Sequence, residues 1–210
     1  MSDIAEEAGA SRGTVYLYFK GKEELFEALL YREYMQYAET WLEQVEADPR
    51  GGTIGGFYRA NYHAVNRHPL IAAMLRRDRR VIGNYLRKRD NLFAQMVSEV
   101  NTPGFFQSLQ AAGAIRQDID AAVINHIVEM LSYGQLTIGD FKAPDQFPPD
   151  EAIMQALADM MDRALIQADG EKSEAGKAIV RQITAEARAQ LEQIKQAKDA
   201  KQANPQGANP

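Results

Sequence analysis

The sequence predicts an all-α protein, a small helix-turn-helix head on a larger helical body. Three observations carry this expectation. Apolar residues recur at three- and four-residue spacing along most of the chain, as in helices with one buried face. No segment shows the strict alternation of a half-buried strand, and no internal repeat is present. Near the N-terminus, two short amphipathic segments flank Gly9-Ala10-Ser11, a spacing that suits a helix-turn-helix.

In the first of these segments Ile4, Ala5 and Ala8 form one apolar edge. Ser11 is placed to cap the second, where Val15 and Phe19 fall four apart and are expected to point inward together. The opposite face offers Arg12, Thr14, Tyr16 and Lys22, within a run from Gly9 to Lys22 that holds three basic residues and no acidic one. A helix that enters a DNA groove needs this balance against the phosphates. Gly21 breaks the segment. A third helix over 22–47 then carries Leu25, Phe26, Leu29, Leu30, Met35, Trp41, Leu42 and Val45 at apolar positions and joins head to body.

The string IAEEAGASRGTVYLYFKGKEELFEAL resembles the DNA-binding head of the tetracycline-repressor (TetR) family of bacterial regulators. The specific part is G-x-S-x-G-T-x-Y-x-Y-F-x-x-K-E-x-L, met here from Gly9 to Leu25. Beyond the head the resemblance is one of layout, a variable all-helical body. It implies a homodimeric transcriptional regulator without a cofactor, usually a repressor that a small organic effector releases from double-stranded operator DNA. By the same resemblance Ser11, Thr14, Tyr16 and Lys22 sit where family members touch phosphates, and Arg12, Gly13, Leu17 and Tyr18 lie near base edges. Leu17 departs from the polar or aromatic side chains common there and offers only a van der Waals contact, for instance to a thymine methyl. Family heads have three helices and the one before Ile4 is absent from this sequence. The head is therefore expected to be incomplete and mobile, with weak operator binding, and Met1 is not expected to be the native start. A reading of another class is a helical ligand-binding or protein-interaction module that has lost DNA binding.

The body follows in order. Asp48-Pro49-Arg50-Gly51-Gly52 ends the third helix, because proline and paired glycines do not continue one cheaply. The next helix starts at about 53 and stops near His68-Pro69, with Ile54, Phe57, Tyr58, Asn61, Tyr62 and Val65 at buried-face spacing. A short helix over 70–77 leads to a longer one over 79–100, carrying Ile82, Tyr85, Leu86, Leu92, Phe93, Met96 and Val97. A helical piece over 105–112 and a turn at Gly113-Ala114-Ile115-Arg116 come next. Asp120 caps a helix reaching about 138, and Asp150 is expected to cap another through about 167. Apolar residues of the latter cover more than one stripe, which predicts deep burial or a partner chain. The two helices are expected to form a dimer interface through Val123, Ile127, Leu131, Ile153, Leu157, Met160, Met161 and Leu165. A last helix over 173–201 has a thin stripe of Ile179, Ile183, Ala187, Leu191 and Ile194, and the terminal NPQGANP is expected to be disordered. The chain thus divides into a head with its connecting helix (1–47), a ligand-binding and dimerisation body (48–170) and a C-terminal helix with its tail (171–210).

Composition narrows the function. A chain of 210 residues at 45% hydrophobic can bury a sizeable core. The absence of cysteine excludes disulfides, zinc fingers and thiolate metal sites. With no leader-like N-terminus and no apolar run of membrane-spanning length, a soluble, cytoplasmic protein without membrane contact is expected. The net charge of -5 is unevenly spread, and Arg12, Lys20 and Lys22 stand clear of the acidic helices. No phosphate loop, nucleophile elbow or metal cluster appears, so an enzyme is not expected. His63, His68 and His126 lack the spacing that puts two ligands on one helix face, and no metal is expected.

An effector pocket is expected among Asn61, Tyr62, Tyr85, Arg89, Phe93, His126 and Met130. Arg89, four after Tyr85 and four before Phe93, places a guanidinium on an apolar stripe, where it needs a partner. A buried ion pair with Glu129 would meet that need, as would a pocket with an anionic or polar end. The basic cluster from Arg76 to Arg89 reads as a solvated face, His126 as a satisfied core residue, and the methionines as core or interface filling.

Overall fold

The computed structural model describes residues 1–87, 91, 103–141, 143–166 and 172–203. These residues hold helices and no strand. The head consists of α1 (Ser2–Glu7) and α2 (Arg12–Tyr18), and α3 (Lys22–Ala47) runs from it into the body. The body adds α4 (Ile54–Arg67), α5 (Pro69–Arg76), α6 (Arg79–Ile82), α7 (Pro103–Ala111), α8 (Ala121–Thr137), α9 (Asp150–Leu165) and α10 (Ser173–Ala203). Short 3-10 turns stand at Tyr85–Arg87, Ile138–Asp140 and Pro144–Gln146.

The spine is α3. Leu30, Tyr34, Tyr37, Trp41 and Val45 are its buried positions, and α4, α5 and α10 pack along it, with α9 on the far side of α4 and α8 bridging α5 and α7. Side-chain caps set several helix starts: Thr53 accepts from the Gly56 amide, Asp78 from Arg80 and Asp120 from Ala122. Asp150 is not a cap. Pro149 holds that position, and Asp150 sits in the first turn of α9, where a carboxylate is favoured by the helix dipole, and accepts from the Tyr62 hydroxyl at 3.0 Å.

The α3–α4 turn is fixed from below by α9. The buried Asp162 carboxylate accepts from Arg50 Nη2 at 2.7 Å, Thr53 Oγ1 at 3.0 Å and the Gly55 amide at 2.8 Å. Backbones touch here: a Cβ on Gly55 would stand 2.3 Å from the Ala158 carbonyl oxygen, so only glycine fits.

The structure breaks the expected helix over 79–100 almost at its start. Gly83 adopts φ 56° and ψ -127°, a conformation open to glycine but strained for other residues, and α6 ends there after one turn. Leu92, Phe93, Met96 and Val97, with Lys88 and Arg89, lie outside the described residues, as does the terminal NPQGANP.

Candidate nucleic-acid interface and ligand cavity

Gly9, at φ 62°, turns the chain out of α1, and the Ala10 amide closes the turn on the Ala5 carbonyl at 2.9 Å. Ser11 then starts α2: its Oγ accepts from the Thr14 amide at 3.0 Å and lies 2.8 Å from Thr14 Oγ1. Seven residues long, α2 rests on the head only through Val15 and Phe19. Both are half-buried rather than core, and Phe19 is already extended at φ -137°, because Ala5 is the only buried residue that α1 supplies. Everything else on α2 is presented to solvent. Tyr16 is 48% exposed, Leu17 84% and Tyr18 73%, with Ser11, Arg12, Gly13, Thr14 and Lys22 also exposed. Three consecutive large apolar or aromatic side chains thus stand in water on one short helix, a surface available for contact. Neither Arg12 nor Lys22 has an acidic partner among the described residues, so their charge is free to meet phosphate.

The body holds a partly open cavity of about 550 Å³. Tyr34, Tyr37 and Trp41 of α3 form one wall, facing Phe57, Tyr58, Asn61 and Tyr62 of α4, Phe105 and Phe106 of α7, and Val128, Glu129, Ser132, Gln135 and Leu136 of α8. The rings form a chain, Trp41 to Phe57 at 4.9 Å, Phe57 to Phe105 at 4.6 Å and Phe105 to Phe106 at 5.2 Å between centroids. The Tyr37 hydroxyl donates to Asn61 Oδ1, and that of Tyr58 to Gln135 Oε1 at 3.1 Å. Burial pushes the phenols of Tyr37, Tyr58 and Tyr62 above their ordinary range, which keeps them neutral. Trp41 Nε1 is buried without a hydrogen-bond partner among the described residues.

Of the residues expected in a pocket, Asn61 and Tyr62 line this cavity. Tyr85 does not. It packs on Phe26 at 4.9 Å and donates to Glu27 Oε1 at 3.4 Å, at the head end of α3. His126 is no core residue either, its side chain being 71% exposed beside Glu129, and Met130 is 54% exposed. The reason is the rotation of α8, which turns Ile124 and Val128 inward and Val123, Ile127, Met130 and Leu131 outward. Arg89 and Phe93 fall outside the described residues. What the sequence reading missed is the aromatic wall of Tyr34, Tyr37, Phe105 and Phe106. The signal was present, since Tyr34, Tyr37 and Trp41 stand three and four apart on one face of α3.

The expected interface residues divide. Val123, Ile127, Leu131 and Met160 are exposed, Ile153, Leu157 and Leu165 are half-buried, and Met161 is in the core. Among the described residues no group of side chains could hold a metal ion, and no helix is long and apolar enough to cross a membrane.

A helix-turn-helix with its second helix bare, carried on a spine that also walls a ligand-sized cavity, defines the class of DNA-binding transcriptional regulators. Residues 1–29 match the family model of bacterial regulatory proteins, tetR family, so the head is similar to the DNA-binding heads of that family. No curated protein and no solved structure matches the chain.

Proposed function

We propose that the protein is a homodimeric repressor that leaves its operator when a small organic molecule fills the body cavity. The observation that carries this reading is the double duty of α3. The helix that continues into the head at Lys22 also supplies Tyr34, Tyr37 and Trp41 to the cavity wall, so a ligand pressing on those rings acts on the element that positions α2. On the DNA side, Ser11, Thr14, Tyr16 and Lys22 take the phosphates, while Arg12, Gly13, Leu17 and Tyr18 face base edges. Dimerisation uses the exposed stripe of Val123, Ile127 and Leu131 on α8 with Met160 on α9, flanked by Ile153, Leu157 and Leu165.

The test begins with duplexes selected from a random pool by the full chain, followed by binding titrations across salt concentrations. Lys22→Ala is expected to weaken binding and lower the salt slope by about one, Tyr16→Phe to weaken binding, and Arg12→Ala to change the preferred sequence more than the affinity. If all three variants fold and bind as the wild type does, α2 is not the reading helix. If no duplex is selected, the body acts as a ligand-binding module alone.

A further inference from the structure

We infer that the body carries a second DNA-contacting surface, on which Arg79 and Arg87 bind backbone phosphates flanking the bases read by α2. The inference extends the proposed DNA binding and rests on it. Between Arg76 and Arg87 the sequence holds five arginines and one acidic residue, in a chain whose net charge is -5. All five arginines are exposed. Asp78 is bonded to Arg80 at 3.0 Å and lies in the field of Arg76. Arg77, Arg79 and Arg87 have no acidic partner among the described residues. Arg77 lines the cavity, which leaves Arg79 and Arg87 as exposed cations with no described role inside the fold.

Their position in the fold selects the partner. Gly83 ends α6 after one turn, and Tyr85 then holds the chain against α3, its ring 4.9 Å from Phe26 and its hydroxyl 3.4 Å from Glu27 Oε1. Phe26 lies about one helical turn from Lys22, where α3 leaves the head. Arg87, just after Tyr85, therefore stands at the head end of the body. Positive charge that adjoins a DNA-reading head meets the duplex backbone, which carries one negative charge per about 1.7 Å of axis. A guanidinium suits that partner, because its planar fork gives two N–H donors to one phosphate. Such contacts add affinity and salt dependence without reading sequence.

The test follows the salt dependence of the full chain on its selected duplex for wild type, Arg79→Gln with Arg87→Gln, the charge-keeping Arg79→Lys with Arg87→Lys, and Arg163→Gln. Arg163, exposed and next to Asp162 under the α3–α4 turn, controls for general loss of charge. The glutamine pair is expected to lower the salt slope by about two for each bound chain and to leave the preferred sequence unchanged. The lysine pair and Arg163→Gln should keep the wild-type slope. Thermal unfolding checks each fold first, and if the glutamine pair does not fold, its two single variants replace it at about one unit of slope each. A wild-type slope for the glutamine variants overturns the inference, as does an equal loss per charge in Arg163→Gln. Unchanged slopes with lost binding to phosphatidylserine vesicles would assign the surface to a membrane and overturn it too. If the glutamine variants alone are silent while Lys22→Ala lowers the slope, the second surface falls and the proposed function stands. If Lys22→Ala and Tyr16→Phe are silent while the glutamine variants lower it, α2 is not the reader and the arginine surface stands. A wild type that binds no duplex defeats both.

Discussion

At Asp162 one carboxylate joins the chain before α4, the first turn of α4 and the underside of α9, through Arg50, Thr53 and the Gly55 amide. Asp162→Ala removes the shared acceptor and leaves buried donors unmet, for an expected loss of about 3 kcal/mol. Asp162→Asn, which keeps an acceptor, should lose less. Urea unfolding measures this as a lower midpoint at unchanged slope, and a midpoint shift within error for the alanine variant would make the node dispensable. The sequence held a clue that apolar spacing passes over. Met154, Ala158, Met161 and Leu165 mark the inward face of α9, and Asp162 shares it as the one carboxylate among them. His126 shows the opposite difficulty. Because α8 is apolar at Ile124 and Val128 and again at Val123 and Ile127, periodicity gives the helix but not which stripe turns inward.

Helices, by contrast, were largely legible, since their caps and breakers are local chemistry. Thr53, Asp120, Pro69 and the Pro49–Gly52 turn fall at real ends, while the helix expected over 79–100 breaks at Gly83, at positive φ. What spacing could not give is the docking of α10 along α3. Gly52 and Gly176 let the backbones meet, a Cβ on Gly176 standing 1.8 Å from the Gly52 carbonyl oxygen. Higher up, Arg181 Nε reaches Glu46 at 2.6 Å and Arg188 reaches Glu39 at 2.9 Å. The Arg181 hydrogen bond holds the Glu46 carboxyl below the usual glutamate range. A carboxyl lowered by folding contributes stability that is fully present above its unfolded pKa and is lost as pH falls through its folded one. The Tm difference between wild type and Arg181→Met is therefore expected near neutral pH and should shrink in acid. A difference that persists unchanged well below the glutamate range would place the effect in packing of the arginine stem instead.

For the whole molecule, the proposed function joins two features, the exposed apolar face of α8 with α9 and the cavity behind it. Val123, Ile127, Met130 and Leu131 together with Met160 form an exposed apolar surface; in the proposed dimer a second copy would cover it, and a two-fold axis would bring two α2 helices to half-sites on one side of DNA. Ile127→Glu with Met160→Glu is expected to give a folded monomer in sedimentation. Met161→Glu, by contrast, would disrupt the core, because that side chain is 6% exposed. A double variant that still sediments as a dimer would move the interface elsewhere. The sequence indicated both helices and the excess of apolar surface, yet it could not say which of two neighbouring methionines faces out. That depends on the rotation set by α4 and the Asp162 node.

The central claim, that a ligand against Tyr34, Tyr37 and Trp41 changes the hold of α2 on DNA, reduces to one measurement. The affinity of the full chain for its selected duplex is determined with and without a small organic molecule shown by calorimetry to fill the cavity. At least about a tenfold weaker complex is expected when the cavity is filled, a coupling of roughly 1.4 kcal/mol. Equal affinity with the cavity full would contradict it, because α3 would then be a wall of the cavity without transmitting its occupancy to the head.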